Sequence, residues 1–288
     1  MRTKRVRPHR PLLALAGATA VLSLLATACT GGGGTPETSD GSPAASTAAV
    51  TPPPAHADFD YQLGGPYTPP DGVSVVIRDH TASPAHGRYG ICYVNAFQAQ
   101  PGAEDDWDDD LLLRDDAGKV VMDKDWDEAI LDIGTPAKRE RVALKVDTWI
   151  DSCAAKGFKA VEPDNYDSYT RAPKGLLTAA DAKAFLHLLA EHAHRKGLAI
   201  GQKNTSALAR DRKQVGLDFA VVEECGQYDE CGAYTKAFGA HVLVIEYTER
   251  GLDKACAGWG EKLSIVRRDL DVVPAGEQGY VRETCADR

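Results

Sequence analysis

Thr135–Asn165 reads TPAKRERVALKVDTWIDSCAAKGFKAVEPDN, and this stretch decides the fold. Thr135 before Pro136 forms an N-cap with proline at the first helical position, and Gly157 is a helix terminator. Between them Val142, Val146, Trp149, Ile150 and Cys153 recur at helical spacing. The chain then enters a short strand, Lys159–Glu162, that runs into acids. The pattern repeats downstream. Thr178 to Lys196 opens with a capping box closed by Asp181 and carries Ala182, Phe185, Leu188, Leu189 and His192 on one stripe. It stops at Gly197 and leads into Leu198–Gln202. Further short apolar runs at Val73–Arg78, Gly90–Val94, Ala129–Ile133, Phe219–Val222, Val242–Glu246 and Leu263–Val266 complete eight candidate strands. Strands apolar on both faces, alternating with amphipathic helices, imply right-handed crossovers and a buried parallel sheet. Eight of them predict an α/β fold, a (β/α)8 TIM-like barrel in a single domain at 58–288. An open doubly wound sheet is disfavoured, because no Gly-rich phosphate loop follows the first strand.

In such a barrel the chemistry lies just past the strand ends. Those positions hold Asp79, Asn95, Asp132, Asp164, Lys203 with Asn204, Glu223, Glu246 with Tyr247, and Asp269. Carboxylates dominate. Hydrolysis of a glycosidic bond needs two of them, one to protonate the leaving oxygen and one to attack or to activate water. Two stretches concentrate the signal: Glu162-Pro163-Asp164-Asn165-Tyr166-Asp167-Ser168-Tyr169, where Pro163 marks the end of the regular strand, and Leu217–Cys225, where an apolar strand meets Glu223 and Glu224. On residues alone Asp164 could cap the following helix or turn, Glu223 could pair with Lys203, and Glu224 next door competes with Glu223. The acidic run Glu104–Asp110 lacks the spacing of a calcium loop, and His187, His192 and His194 lie on a helix without a metal-ligating partner motif. No metal and no cofactor is called for, and no Gly-x-Ser-x-Gly elbow points to a serine hydrolase.

Four motifs in order carry a resemblance: GFxxxEPDN at Gly157–Asn165, GLxxGxKN at Gly197–Asn204, DFAVxExC at Asp218–Cys225 followed by Tyr228 and Cys231, and VxxxEY at Val242–Tyr247. Together they resemble glycoside hydrolase family 114, the endo-α-1,4-polygalactosaminidases. The resemblance implies a TIM-like barrel that cuts internal α-1,4 bonds in galactosamine-rich polysaccharide, with Asp164 and Glu223 as the catalytic pair. Asp79, Asn95, Asp132, Glu162, Asn165, Asp167, Tyr169, Lys203, Asn204, Glu246 and Tyr247, at or beside the candidate strand ends, are the candidates for binding substrate. The chain departs from the family after its second strand. Tyr93-Val94-Asn95-Ala96-Phe97 runs into Gln98–Trp107 without the usual Trp-Arg segment, and the first strand ends in Arg78-Asp79-His80. The rival readings are a non-catalytic carbohydrate-binding lipoprotein on the same barrel and a hydrolase of another polysaccharide.

Arg2, Lys4, Arg5, Arg7 and Arg10 precede an apolar stretch from Leu12 to Ala28, the pattern of a signal peptide at 1–29. It ends Leu25-Ala26-Thr27-Ala28-Cys29, which resembles the lipobox of bacterial lipoproteins and makes Cys29 the lipidated residue. Residues 30–57 are mostly Gly, Ser, Thr, Pro and Ala, a tether with an r.m.s. reach of about 30 Å. Removing 1–29 takes five cations from the 33 Lys+Arg and none of the 42 Asp+Glu, so the formal charge becomes 28 minus 42, or −14. An acidic chain without a basic stripe excludes nucleic acid as a partner, and an aminosugar polysaccharide fits the charge. The expected protein is an extracytoplasmic monomer, lipid-anchored at the cell membrane or secreted, with no membrane contact beyond its lipid. Six cysteines remain, and an even number in an exported chain reads as three disulfides. The preferred pairs are Cys225 with Cys231, Cys256 with Cys285, and Cys92 with Cys153. Cys29→Ala is expected to move the protein from the membrane fraction to the medium or to block its maturation. Membrane retention with normal processing would remove the lipid anchor from the reading.

Overall fold

A computed structural model describes residues 50–288. The signal peptide, Cys29 and positions 30–49 of the tether lie outside the described residues. Eight parallel strands follow one another around a sheet: β1 (Phe59–Gln62), β2 (Val75–Asp79), β3 (Tyr89–Asn95), β4 (Ala160–Asp164), β5 (Ala199–Lys203), β6 (Phe219–Glu223), β7 (Val242–Glu246) and β8 (Ser264–Arg268). A ninth strand, β9 (Arg282–Thr284), adds antiparallel to β8. The first and eighth strands meet at a seam. There the Arg268 guanidinium donates to the Tyr61 carbonyl, Ala57 N–H donates to Ser264 Oγ at 2.8 Å, and Gly64 N–H donates to Val272 O at 3.2 Å.

Alternation along each strand sorts the core into two. Phe59, Tyr61, Val75, Ile77, Ile91, Tyr93, Ala160, Ala199, Phe219, Val221, Leu243, Ile245 and Val266, from all eight strands, pack together inside the barrel. Cys92, Val94, Val161, Ile200, Ala220, Val222 and Val244 face outward to the helices. The main helices are α1 (Pro136–Lys156), α2 (Ala179–Arg195), α3 (Cys231–Phe238) and α4 (Glu249–Trp259). The caps are those the sequence implies. Thr135 accepts from Lys138 N–H, Gly157 takes φ 92°, and Thr178 with Asp181 closes a capping box. The three expected disulfides are formed: Cys92–Cys153 ties α1 to β3, Cys225–Cys231 closes the loop after β6, and Cys256–Cys285 ties α4 to the C-terminal segment.

Three expectations are corrected. Ala129–Ile133 is not a barrel strand: Glu128–Ile130 pairs antiparallel with Gln98–Ala99 and Met122–Asp123 in a small sheet inserted between β3 and α1. The eighth barrel strand is instead β1, whose Asp60 and Gln62 are buried polar residues that interrupt the apolar signal. Asp60 accepts from Tyr67 and Gln62 and faces the Arg268 guanidinium, so its charge is matched inside the protein. Finally, residues 50–57, read as the end of the tether, lie against the barrel's lower face. Thr51 O accepts from Tyr89, Pro53 O contacts His241 Nδ1 at 3.0 Å, and Val50 and Ala57 pack on the inner core.

Inside the barrel, volume is traded between neighbours. Gly201 on β5 sits beside the fully buried Phe219 ring of β6, and a Cβ built at Gly201 would fall 2.7 Å from that ring. Gly201→Ala should therefore cost about 1–3 kcal/mol in denaturant unfolding. Phe219→Leu in the same chain should recover part of that loss. Strictly additive losses in the double variant would show that the two side chains do not share this space.

Candidate active site

The site continues the inward-facing rows past their apolar layers. Each row ends in a polar group: Tyr61 on β1, Tyr93 on β3, Glu162 and Asp164 on β4, Lys203 on β5, Glu223 on β6 and Tyr247 just after β7. Lys203, 2% exposed, is the hub. Its Nζ lies 3.1 Å from Glu162 Oε1, 3.3 Å from Asp164 Oδ1 and 3.6 Å from Glu223 Oε2. It also donates to Tyr61 OH at 3.1 Å and faces the Tyr61 and Tyr93 rings at 5.7 and 5.5 Å. Burial alone would lower the Lys203 pKa, but Asp164, Glu223, Tyr61 and Glu162 together raise it well above the ordinary lysine value. The ammonium is thereby held charged.

The three carboxyls differ in what they can meet. Glu162 is fully buried, and desolvation pushes it up to about 7 against the pull of Lys203, with Asp164 and Glu223 adding to the rise. Asp164 and Glu223 keep 18% and 21% side-chain exposure and open to the mouth. Asp164 accepts from Tyr93 OH at 2.7 Å and from Asn165 N–H at 2.6 Å. Glu223 accepts from Tyr247 OH and, at 3.1 Å, from Asn204 Nδ2, whose Oδ1 accepts from Glu223 N–H at 2.8 Å. Just past the three strand ends the backbone turns left-handed, at Asn165 (φ 68°), Asn204 and Thr205 (φ 49° and 65°) and Glu224 (φ 59°). Such strain in non-glycine residues is concentrated at functional sites. Here it also separates the two neighbouring acids: Glu223 occupies the last inward position, and Glu224 is turned past it, its N–H donating to Ile245 O at 2.8 Å.

The structure thus brings together Glu162, Asp164, Lys203, Asn204, Glu223 and Tyr247. Asn95 and Asn165 join one strand over: Asn165 Nδ2 donates to Asn95 Oδ1 at 2.8 Å, and Asn95 Nδ2 donates to Glu128 Oε2 at 2.9 Å. Asp167 pairs with Arg171 at 3.0 Å, and burial raises its pKa against that cation. Tyr169 packs against the outer core. Other expected residues are used elsewhere. Asp79 caps its own turn through Thr81, and Asp132, displaced with the inserted sheet, holds Lys138 at 2.6 Å and Gly134 N–H. Glu246 is corrected as a substrate ligand. It occupies an outward position on β7, is fully buried, and accepts from Gly226 N–H at 2.7 Å.

Tyr61 and Tyr93 were not among the expected site residues. The signal for Tyr93 was present in the period-two row Ile91, Tyr93, Asn95, whereas Tyr61 lay on the strand the sequence hides. Among the described residues no cluster of His, Cys, Asp or Glu is arranged to hold a metal ion. The assembled groups can supply two accessible carboxyls, each oriented by a tyrosine hydroxyl, around one fixed cation.

Comparison with solved structures supports the architecture. The crystal structure of Aspergillus fumigatus Ega3 in complex with galactosamine superposes with a TM-score of 0.66 at 24% identity, covering 82% of this chain and 98% of Ega3. The glycoside hydrolase domain of PelA from Pseudomonas aeruginosa gives a TM-score of 0.51 at 14% identity, covering 76% of this chain and 97% of that domain. At these identities the likeness establishes a shared fold. No curated protein matches by sequence. The sequence pattern of one family, however, spans residues 39–288, almost the whole chain. With the barrel and its carboxylate-lined mouth in place, that match settles the assignment: the chain belongs to glycoside-hydrolase family GH114.

Proposed function

We propose that this glycoside hydrolase is an endo-acting enzyme that cleaves α-1,4 bonds in galactosamine-rich polysaccharide, lipid-anchored outside the cell through Cys29. The observation that carries the reading is the arrangement of Asp164 and Glu223, both open to the mouth, around Lys203. The galactosamine bound in the related Ega3 structure supports the choice of sugar. A mouth rich in carboxylates also attracts the ammonium groups of deacetylated units.

The 3.3 and 3.6 Å distances from Lys203 place Asp164 Oδ1 and Glu223 Oε2 within about 7 Å of each other, their sum. That bound reaches the ~5–5.5 Å separation of retaining enzymes and falls below most of the ~6.5–9.5 Å range of inverting ones. Asp164, held by Tyr93 and its own turn, is the nucleophile. Its carboxylate forms a bond to the anomeric carbon as the glycosidic bond breaks, and Glu223 gives its proton to the departing oxygen. In the second half Glu223 takes a proton from water, whose oxygen displaces Asp164. Glu162 is too buried to meet substrate, and its role is to fix Lys203.

Asp164→Asn and Glu223→Gln should each lower kcat on partially deacetylated α-1,4-galactosamine polymer by about a thousand-fold, and, because each alters a carboxyl facing the buried Lys203, should also lower Tm. Retention of more than about a tenth of wild-type turnover, a loss below ~1.4 kcal/mol, would remove that residue from the chemistry. The products of the wild-type enzyme should be short oligomers by mass analysis. Tight binding without products would favour the carbohydrate-binding reading.

Glu162 makes a separate prediction about pH. Burial raises it from an ordinary 4.5 to about 7, so the folded state holds this proton more tightly than the unfolded chain. The associated stability is fully present below pH 4.5 and is lost as pH rises to 7. Glu162→Gln lacks that titration. The Tm of the variant relative to wild type should therefore rise between pH 4.5 and 7 and level off above. A Tm difference independent of pH over this window would contradict the assignment.

A further inference from the structure

Asn165 directly follows the carboxylate assigned as nucleophile, and all of its polar groups are engaged. Its N–H donates to Asp164 Oδ1 at 2.6 Å, and its carbonyl accepts from Ser168 N–H at 2.9 Å and from Ser168 Oγ at 2.7 Å. In the side chain, Oδ1 accepts from Arg171 Nη1 at 3.1 Å, and Nδ2 donates to Asn95 Oδ1 at 2.8 Å and to Glu128 Oε2 at 3.3 Å. The residue is buried and sits at φ 68°, a left-handed conformation that a Cβ disfavours and that asparagine tolerates better than most residues.

Each strand of the small sheet inserted after β3 reaches this one residue. From Gln98–Ala99, Gln98 Nε2 donates at 2.8 Å to the Ser168 hydroxyl that in turn donates to Asn165 O. From Met122–Asp123, Asp123 holds at 2.9 Å the Arg171 Nη1 that donates to Asn165 Oδ1. From Glu128–Ile130, Glu128 accepts from Asn165 itself and, at 2.9 Å, from Asn95 Nδ2. Gln98, Asp123 and Glu128 are all buried, and Asp123 and Glu128 are Cα partners across their two strands. Two acids set directly opposite one another contribute nothing to the pairing of those strands, and their burial demands partners. Arg171, Asn95 and Asn165 are such partners, and they converge on the turn that carries Asp164.

We propose that the inserted sheet is a clamp on the nucleophile, with Glu128 as its principal positioning residue. Gripped on its side chain and its carbonyl, Asn165 stays left-handed and its N–H stays aimed at Asp164 Oδ1, while Tyr93 OH holds Oδ2 at 2.7 Å. The carboxylate is thereby fixed at both oxygens before the sugar arrives. Without Glu128 the turn relaxes toward negative φ, the peptide rotates, and Asp164 loses the donor on Oδ1. Orientation of this kind acts on the chemical step and not on substrate affinity. The inference rests on the assignment of Asp164 as nucleophile, and it gives strands that lie outside the barrel a part in the reaction.

The test is a double-mutant cycle read by steady-state kinetics on partially deacetylated α-1,4-galactosamine polymer. Glu128→Ala should lower kcat about ten-fold or more and change KM less than about two-fold. Glycine adopts positive φ without being held there, so in an Asn165→Gly background the same Glu128→Ala change should lower kcat less than about two-fold further. An equal kcat loss in both backgrounds, or a loss carried by KM, overturns the clamp. Should Glu128→Ala fail to fold by circular dichroism, Asn165→Ala and Asn165→Gly are compared with Glu128 left in place. The glycine variant should then keep a kcat about five-fold or more above that of the alanine variant, and equal values overturn the clamp. Turnover that persists in Asp164→Asn defeats the nucleophile assignment and the clamp with it. Loss of turnover in Asp164→Asn together with independent effects in the cycle defeats the clamp alone. If the wild-type enzyme leaves the polymer uncut, the substrate reading fails and the clamp falls with it.

Discussion

One buried cation organises the mouth of this barrel. Lys203 cannot leave water without matched negative charge, because an unpaired ammonium in the interior costs far more than a domain can spare. Glu162, Asp164 and Glu223 face it from three directions. The dependence is mutual: without Lys203 these carboxyls, brought together by neighbouring strands, would repel one another and take up protons. The order of residues along each row follows. Beneath Lys203 its own strand has only Gly201 and Ala199, and the adjacent Phe219 fills the space they leave. The polar layer therefore rests on an apolar layer of barrel side chains.

Much of this was legible in the chain because a barrel obeys two simple periods. The helices announced themselves through caps and 3.6-residue spacing, and the strands from β4 to β7 through runs apolar on both faces. Asp164, Lys203 and Glu223 could be placed because each follows such a run. The two strand misreadings share one cause, that burial is not the same as hydrophobicity. Phe59–Gln62 looked half-polar because Asp60 and Gln62 are neutralised by partners remote in sequence, Arg268 and Arg78. Conversely, Ala129, Ile130, Leu131 and Ile133 are buried and apolar without belonging to the barrel sheet, since the inserted sheet packs with Trp107 and Leu111 into the outer core that the helices share. Glu246 was misplaced by a matter of parity: one residue before Tyr247 on the same strand, it points to the other face.

Partners also decide which acids remain available. Asp79, Asp132 and Asp167 are engaged within their own segments, by Thr81, Lys138 and Arg171, and Glu246 by the Gly226 amide that the fold brings to it. Asp164 and Glu223 instead meet Lys203 and tyrosines from other strands. The tyrosine hydroxyls show the same point. Tyr93 and Tyr247 come from strands on opposite sides of the β4–β6 group, and each orients one accessible acid. Only the closure of the sheet makes them a pair.

The way the chain enters the domain has a geometric consequence. Residues 51–57 touch Tyr89, His241 and Ser264, all at the starting ends of their strands. The polypeptide therefore joins the barrel on the face opposite the carboxylates. The described chain up to Ala57 thus leaves the carboxylate end of the barrel uncovered.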